Sequence, residues 1–416
     1  MSKQPSVISL YSGAGGLDYG FEAAGFDTTV AVEFDKHCCE TLRRNRPKWG
    51  VIERSIFDVP TKEILKVGKL KRGEVDLVIG GPPCQPFSKS AYWVKGDTAR
   101  LDDPRADTLA AYMRVVEETL PTAFLLENVG GLAFSGKDEG LQLLLNQIER
   151  INKKTKSKYV PYYQVVNAAS YGVPQLRERF ILVASREGRP FTFPSPTHGE
   201  PQSDLPLFSG KGSGVQPYRT TWDAIGDVRP EPGERLAMQG KWAGLLPSIP
   251  EGQNYLFHTD RGGGLPLFGW RRRYWQFLLK LAKNRPSWTI QAQPGSSIGP
   301  FHWENRRLSA RELCRIQTFP DDVSILGGRT EVQRQLGNAV PSLLAEVLAR
   351  AIRTQFLALL PVKGALKLLP TDRSPAPPPE PVQKVPKEFL HLVGEHAPHP
   401  GTGKGEAALA RIKKSA

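Results

Sequence analysis

Up to about residue 185 the chain alternates short apolar runs with segments whose apolar residues recur at helical spacing. Val7-Ile8-Ser9-Leu10 predicts a strand, followed by a glycine loop and a helix from Gly16 to about Ala24. Thr28 to Val32 predicts a second strand, and Val75 to Ile79, Ala123 to Leu126 and Phe180 to Ala184 predict three more. Leu109 to Leu120 and Gly140 to Asn152 read as amphipathic helices. Strands and helices in this alternation predict an α/β fold built on a doubly wound, mainly parallel sheet. The pattern loosens after Pro190, where residues 191–304 are rich in Gly, Pro, Trp and Arg and predict a smaller lobe with little helix. Helical signals return at Ser309-Ala310-Arg311-Glu312, which fits a capping box, and from Pro341 to Leu360. The expected layout is a main lobe 1–190, a small lobe 191–304, a connecting segment 305–334, a return to the main lobe 335–362, and a tail 363–416. The tail, with Ser374-Pro375-Ala376-Pro377-Pro378-Pro379, predicts disorder.

Composition narrows the class. An apolar fraction of 39% and an aromatic fraction of 9% suit a soluble enzyme, and no apolar run has the length a bilayer needs. The first residues lack the apolar stretch of a signal peptide. Four cysteines, two of them adjacent (Cys38, Cys39), give neither a disulfide framework nor zinc spacing. The expectation is an intracellular, metal-free protein. Lys and Arg number 56 against 42 Asp and Glu, a formal net charge of +14. Such an excess favours polyanions through phosphate contacts, but composition alone does not separate DNA, RNA or an anionic surface from a merely basic exterior.

Candidate chemistry clusters at the carboxyl ends of the predicted strands, where open parallel sheets bind ligands. Cys84 stands in Gly80-Gly81-Pro82-Pro83-Cys84-Gln85-Pro86, a proline-stiffened loop that suits a rigidly held nucleophile better than packing. Ser12-Gly13-Ala14-Gly15-Gly16-Leu17-Asp18 opens a helix, and its free amides favour anionic groups. Asp18 occupies the place of the third glycine of the dinucleotide fingerprint, which argues against an oxidoreductase. Glu33 ends the second strand, where a carboxylate can accept hydrogen bonds from ribose hydroxyls. Glu127 follows the Ala123–Leu126 strand at the same edge as Cys84, pairing a carboxyl with a thiol. In Gln175-Leu176-Arg177-Glu178-Arg179, period-two spacing puts Arg177 and Arg179 on one face, suited to a phosphate or a base oxygen. Each feature alone reads equally well as an ordinary turn, cap or surface charge.

Together they resemble the cytosine-5 DNA methyltransferase family, over about residues 5–190 and 305–350. The resemblance also rests on Arg307-Leu308-Ser309-Ala310-Arg311-Glu312, Gln317-Thr318-Phe319-Pro320-Asp321 and Gln335-Leu336-Gly337-Asn338-Ala339-Val340-Pro341, all in the family's order. It implies the S-adenosylmethionine-dependent methyltransferase fold, S-adenosyl-L-methionine as cofactor and double-stranded DNA as substrate. By that resemblance Glu33 serves the ribose, Asp58 the adenine amino group, and Tyr11, where the family usually has Phe, stacks beside the adenine. Ser12, Gly13, Gly15, Gly16, Leu17, Pro82 and Asn338 complete the cofactor site. The segment 335–341 is expected to fold back beside the first glycine loop.

The same resemblance implies that the target cytosine is flipped out of the duplex. Cys84 then adds to carbon 6, Glu127 protonates or hydrogen-bonds ring nitrogen 3, and Arg177 and Arg179 are expected among the catalytic residues, Arg179 near the base. Gln85 and Ser88 are expected against the DNA. Trp270-Arg271-Arg272-Arg273-Tyr274-Trp275 interleaves cations with aromatics, the composition of phosphate and base contacts. The competing reading of that run is that Tyr274, Trp275 and Phe277 pack the small lobe and the arginines are solvated. The overall expectation is a modification enzyme of a restriction-modification system, monomeric, cytoplasmic and nucleoid-associated, with a cognate endonuclease as companion. Methylation of transfer RNA is the near alternative, against which no Cys-Phe-Thr segment of the RNA-directed branch occurs. A catalytically silent DNA-binding regulator is the distant one.

Overall fold

Period-two burial along the strands organises the molecule. The computed structural model describes residues 4–83, 107–133, 139–200, 214–270 and 274–396. β1 (Ser6–Leu10), β2 (Asp27–Glu33), β3 (Gly50–Glu53), β4 (Leu77–Gly80) and β5 (Ala123–Val129) pair in parallel. With β6 (Tyr162–Asn167), a two-residue β7 (Gln175–Leu176) and β8 (Glu178–Ser185) following, the main sheet has the order β3-β2-β1-β4-β5-β8-β6. β8 runs antiparallel to both its neighbours.

Ile8, Leu10, Val30, Val32, Val78, Phe124, Leu126, Phe180 and Leu182 face one core, while Val7, Leu77, Ile79, Leu125, Ile181 and Val183 face the other. Two apolar faces require helices on both sides. The helices, in order, are α1 (Gly16–Ala23), α2 (Lys36–Asn45), α3 (Thr61–Val67), α4 (Asp107–Thr119), α5 (Glu139–Thr155), α6 (Thr221–Ile225), α7 (Ala310–Ile316), α8 (Arg329–Asn338) and α9 (Ser342–Gln355). α3, α4 and α5 supply the first core; α1 and α9 supply the second.

α9 reaches the main sheet because α1 carries two glycines on the contact face. A Cβ on Gly16 would lie 2.3 Å from the Val340 carbonyl oxygen, and one on Gly20 2.3 Å from that of Ser342. Leu343, Leu344, Leu348 and Ile352 are thereby fully buried, each contributing about 1.5–3 kcal/mol relative to exposure. This close crossing seats residues 339–346 against α1, with Val340 at Gly16 where the glycine loop enters the helix.

Between sheet and small lobe lies a shared layer of Tyr19, Leu42, Ile225, Leu281, Ile290, Trp303 and Leu336. α7 starts at the expected capping box, with Ser309 N donating to Glu312 Oε2 (2.7 Å) and Glu312 N to Ser309 Oγ (3.1 Å). The small lobe has its own core around Leu245, Leu246, Ile249, Tyr255, Leu278 and Phe301.

Residues 363–396 differ from the expected disorder. Leu366, Leu368 and Leu369 pack against the α1/α9 core, and Glu346 accepts from the backbone N–H groups of Lys367 and Leu368. The segment then crosses α6, where Arg373 pairs with Asp227 (2.7 Å). Glu380 meets buried Lys283 (2.8 Å), which also holds Glu251 (2.9 Å). Phe389 finally stacks on Trp242, 5.8 Å between centroids at 19°, inside the small-lobe core. Composition misled because a few anchors, Leu368, Glu380 and Phe389, suffice to order a proline-rich strap that lies on preformed surfaces.

Candidate active site

The carboxyl ends of β1, β2, β4 and β5 open on one edge. At β1, Tyr11 takes a left-handed φ of 55°, followed by Gly13 at 55° and Gly15 at 88°. The bend is held by Tyr11 N donating to the Val32 carbonyl (2.9 Å) and Tyr11 Oη to that of Thr108 (2.9 Å). Ser12 Oγ stays local, donating to Ser9 Oγ (2.9 Å). No heavy atom lies within 4 Å of where a Gly13 Cβ would be, so the loop leaves open space beside its backbone. The next residues, Gly16 and Leu17, are buried as the first turn of α1, which lacks a side-chain cap.

Glu33 is buried at the end of β2. Its Oε2 accepts from Gly13 N (2.8 Å), and its Oε1 from Phe34 N and Asp35 N (both 2.9 Å). Burial raises its pKa, and those three N–H groups work against the rise. A carboxylate offers about four acceptor sites, which leaves Glu33 capacity for one ligand hydroxyl. Two residues here escaped sequence reasoning: Phe34 is 68% exposed and Phe57 54% exposed. Large aromatics beside candidate carboxylates past the strand ends, in Glu33-Phe34 and Phe57-Asp58, are the signal that could have found them. Asp58 is exposed at the end of a single 3-10 turn after β3. Asn338 is exposed at the last residue of α8, directly before the segment that packs on α1. These groups fit a nucleoside-bearing cofactor: an acceptor carboxylate, exposed flat apolar rings and an open glycine loop.

The candidate catalytic edge is built on β4, β5 and β8. Gly81 has no side chain because Glu127 Oε2 would lie 2.6 Å from its Cβ. That contact places the carboxylate beneath the start of the Pro82-Pro83 loop. Asn128 Nδ2 donates to the carbonyl of buried Pro82 (3.0 Å), and Thr108 Oγ1 to that of Pro83 (3.1 Å). Arg179 Nε lies 2.6 Å from Glu127 Oε1, both side chains 11% exposed. The N–H does not align with the oxygen, so the contact is an ion pair rather than a directed hydrogen bond. Burial raises the Glu127 pKa despite the opposing pull of Arg179 and Arg177.

Arg177 is placed differently from its neighbour. Its guanidinium donates to the carbonyls of Ile290 (3.1 Å) and Gly337 (2.6 Å), and to Gln175 Oε1 (3.3 Å). It therefore braces the small-lobe segment and α8 against the sheet, while Arg179 alone contacts the carboxylate.

Cys84, Gln85 and Ser88 lie outside the described residues, as do Arg271, Arg272 and Arg273. The other three thiols are buried. Burial pushes Cys39 and Cys314 up to about 12 and Cys38 higher still, far from thiolate at neutral pH. In the small lobe Phe277 does pack the core, but Tyr274 and Trp275 are 50% and 45% exposed. Trp275 meets Trp288 edge to face, 5.4 Å between centroids. Trp288 lies in β11 (Ser287–Trp288), which pairs with β7 immediately before Arg177, so the aromatic pair adjoins the catalytic edge. (β9 and β10 are the two-residue strands His198–Gly199 and Gln216–Pro217.)

Comparison with known proteins agrees with this geometry. A family profile described as C-5 cytosine-specific DNA methylase matches residues 6–354. The Type II methyltransferase M.SacI of Streptomyces achromogenes is 41% identical over 378 residues, covering 85% of this chain and 94% of that protein. M1.HphI of Haemophilus parahaemolyticus is 34% identical, covering 83% and 86%. Among solved structures, a prophage-encoded DNA modification methyltransferase from E. coli superposes with a TM-score of 0.57 at 22% identity, covering 85% of this chain and all of that one. A Spodoptera frugiperda DNMT2 variant gives 0.56 at 16%, covering 84% and 99%. At such identity the structures speak for the fold alone. The strap, residues 363–396, lies beyond the family match.

Proposed function

The chain belongs to the C-5 cytosine-specific DNA methylases, and from that premise we propose that Cys84 is its nucleophile and Glu127 its acid. The protein is a DNA cytosine-5 methyltransferase of the Type II modification kind. Carbon 5 of cytosine is a weak nucleophile buried in the base stack, so the base must be extruded, at about a few kcal/mol. Attack of Cys84 Sγ on carbon 6 makes carbon 5 electron-rich. Glu127, donating a proton to ring nitrogen 3, keeps negative charge from accumulating on the ring. Carbon 5 then uses its electron pair to bond the methyl group. Departure of the carbon-5 proton leaves its bonding pair to re-form the 5,6 double bond and expel the thiolate, while ring nitrogen 3 returns its proton to Glu127.

The observation that carries this reading is the Gly81–Glu127 contact: a carboxyl held protonatable by burial, directly under the loop that leads to Cys84. That Cys38, Cys39 and Cys314 are buried, with burial raising their pKa values, supports Cys84 as the reactive thiol. Arg179 orients Glu127 through their ion pair and is within reach of a base bound there; Arg177 supports the floor.

S-adenosyl-L-methionine, when bound, supplies an electrophilic methyl group. Glu33, Phe34 and Phe57 suit its nucleoside, with Tyr11 and the Ser12–Leu17 loop beside its methionine portion and Asp58, Pro82 and Asn338 at the rim. Double-stranded DNA is the substrate, and a companion endonuclease with the same recognition sequence belongs to this reading. The test is bisulfite sequencing of DNA from a host expressing the chain. Methylated cytosines at one sequence are expected, and none with Cys84→Ala. Unmethylated DNA alongside labelled transfer RNA would overturn the substrate.

A further inference from the structure

On the small-lobe side of the cleft, the segment from Pro294 to Phe301 and the start of α8 enclose an open pocket. Arg307, Arg329 and Gln333 line it together with Ile298 and Gly299. Both guanidiniums are half-buried and are aimed by backbone oxygens. Arg307 Nη2 donates to the Ser296 carbonyl (3.3 Å) and Arg329 Nη1 to that of Leu308 (2.9 Å). Among the described residues neither has a carboxylate within 4.0 Å. The contrast with the preceding residue is instructive. Arg306 is neutralised by Glu304 (2.9 Å) and Glu312 (2.7 Å), so charge pairing is available in this segment and is withheld from Arg307.

The acids whose charge acts on Arg329 are Glu234 and Glu312, and both are committed elsewhere. Glu234 accepts from the N–H groups of Ala310 and Glu231, and Glu312 from Ser309 N and Arg306. Burial and the neighbouring Arg307 both disfavour the charge on Arg329. Two like charges held together without a counterion form a site that an anion relaxes. Gly299 lines the same pocket, and its lack of a Cβ, which would strike the Leu279 carbonyl at 2.1 Å, lets the 294–301 segment pack tightly on the small lobe and form that wall.

We propose that Arg307 and Arg329 clamp one backbone phosphodiester of the substrate duplex. The proposal rests on DNA being the substrate and adds a phosphate site to it. Its purpose follows from the segment on which it is built. Ile290, eight residues before Ile298, has its carbonyl held by Arg177, and Gln333 Nε2 donates to the Gln291 carbonyl (2.7 Å). A phosphate gripped here is registered against the β8 edge that carries Arg179, which makes both arginines positioning residues. Losing the clamp therefore weakens KM for DNA more than kcat.

The test is the salt dependence of binding to a 30-base-pair duplex of mixed sequence. Each neutralised phosphate contributes about −0.9 to the slope of log K against log salt. The Arg307→Gln/Arg329→Gln double variant should lose about one such unit, while Arg307→Lys/Arg329→Lys should keep the wild-type slope. Cofactor binding reports that each variant is folded. A wild-type slope in the glutamine variant, whatever its affinity, would overturn the clamp and leave the substrate reading intact. Failure of the wild type to bind duplex DNA at all would overturn both.

Discussion

Replacing Glu127 with Gln removes the proton and keeps the shape. The side chain is buried, its Oε1 faces Arg179 at 2.6 Å and its Oε2 abuts Gly81. A Gln amide oxygen can keep the contact with Arg179, so the variant should fold and bind duplex DNA within about threefold of wild type. It cannot supply a labile proton to ring nitrogen 3. General acid catalysis is worth about 10²–10⁴-fold, which at about 1.36 kcal/mol per tenfold is about 3–5.5 kcal/mol of barrier. Single-turnover transfer of a tritiated methyl group, with enzyme in excess over duplex, should slow by that factor. The pH profile carries a second signature. Because burial raises the Glu127 pKa, its acid form persists above the ordinary carboxyl range and is lost as pH rises, whereas the Cys84 thiolate grows with pH. Wild-type rates should pass through a maximum, and the Gln variant should rise monotonically. A variant within threefold of the wild-type rate, with its maximum intact, would take the carboxyl out of the chemistry.

Asp18 is fully buried with Oδ2 unpartnered, and burial pushes its pKa up to about 6 from 3.8. The folded state thus holds the proton more tightly than the unfolded chain; this stabilisation is complete below about pH 4 and lost as pH rises through about 6. The rise corresponds to about 3 kcal/mol, so Asp18→Asn should gain melting temperature relative to wild type as pH rises from about 4 to about 6 and keep that gain above it. Parallel curves would show that the carboxyl is not the cause. Phe389→Ala should destabilise the small lobe by about 3 kcal/mol, seen as faster amide exchange at residues 243–249. Unchanged protection would mean that the strap is not part of that core. The Trp275→Ala/Trp288→Ala double variant should melt near wild type, since the two residues are 45% and 38% exposed, yet bind duplex about tenfold more weakly. Unaltered affinity would assign the pair to packing alone.

What could be read from sequence divides by how strongly each element announces its burial. β1, β2, β4, β5 and β8 are apolar on both faces and stand out as runs. β3 offers only Val51 and Ile52 between polar residues, and β6, at the sheet edge, leaves Tyr163 and Val165 exposed, so neither carries a clear period. α2 was illegible because Lys36–Asn45 buries only Cys38, Cys39, Thr41 and Leu42 and depends on its Asp35 cap. Glu33 and Glu127 were legible from their places at strand ends. Phe34 and Phe57 were not, because an exposed aromatic has no meaning until the loop beside it is seen to be open.

Arg177 and Arg179 show why spacing alone could not assign roles. They lie two residues apart and are both buried, yet between them runs the junction from β7 to β8. On the near side, β7 pairs with β11 of the small lobe, so Arg177 meets carbonyls from residues 290 and 337. On the far side, β8 pairs with β5, where Val129 is directly opposite Arg179 and Glu127 is two residues along. One guanidinium thereby fastens remote segments, and the other tunes the acid. Arg177→Ala should then loosen the 290–300 segment and α8 while sparing the Glu127–Arg179 pair, so methylation should fail through misplacement of DNA, with KM rising well ahead of any fall in kcat. Steady-state kinetics with cofactor saturating distinguish the two: an equal loss in kcat at unchanged KM would assign Arg177 to the chemistry and refute the division of labour.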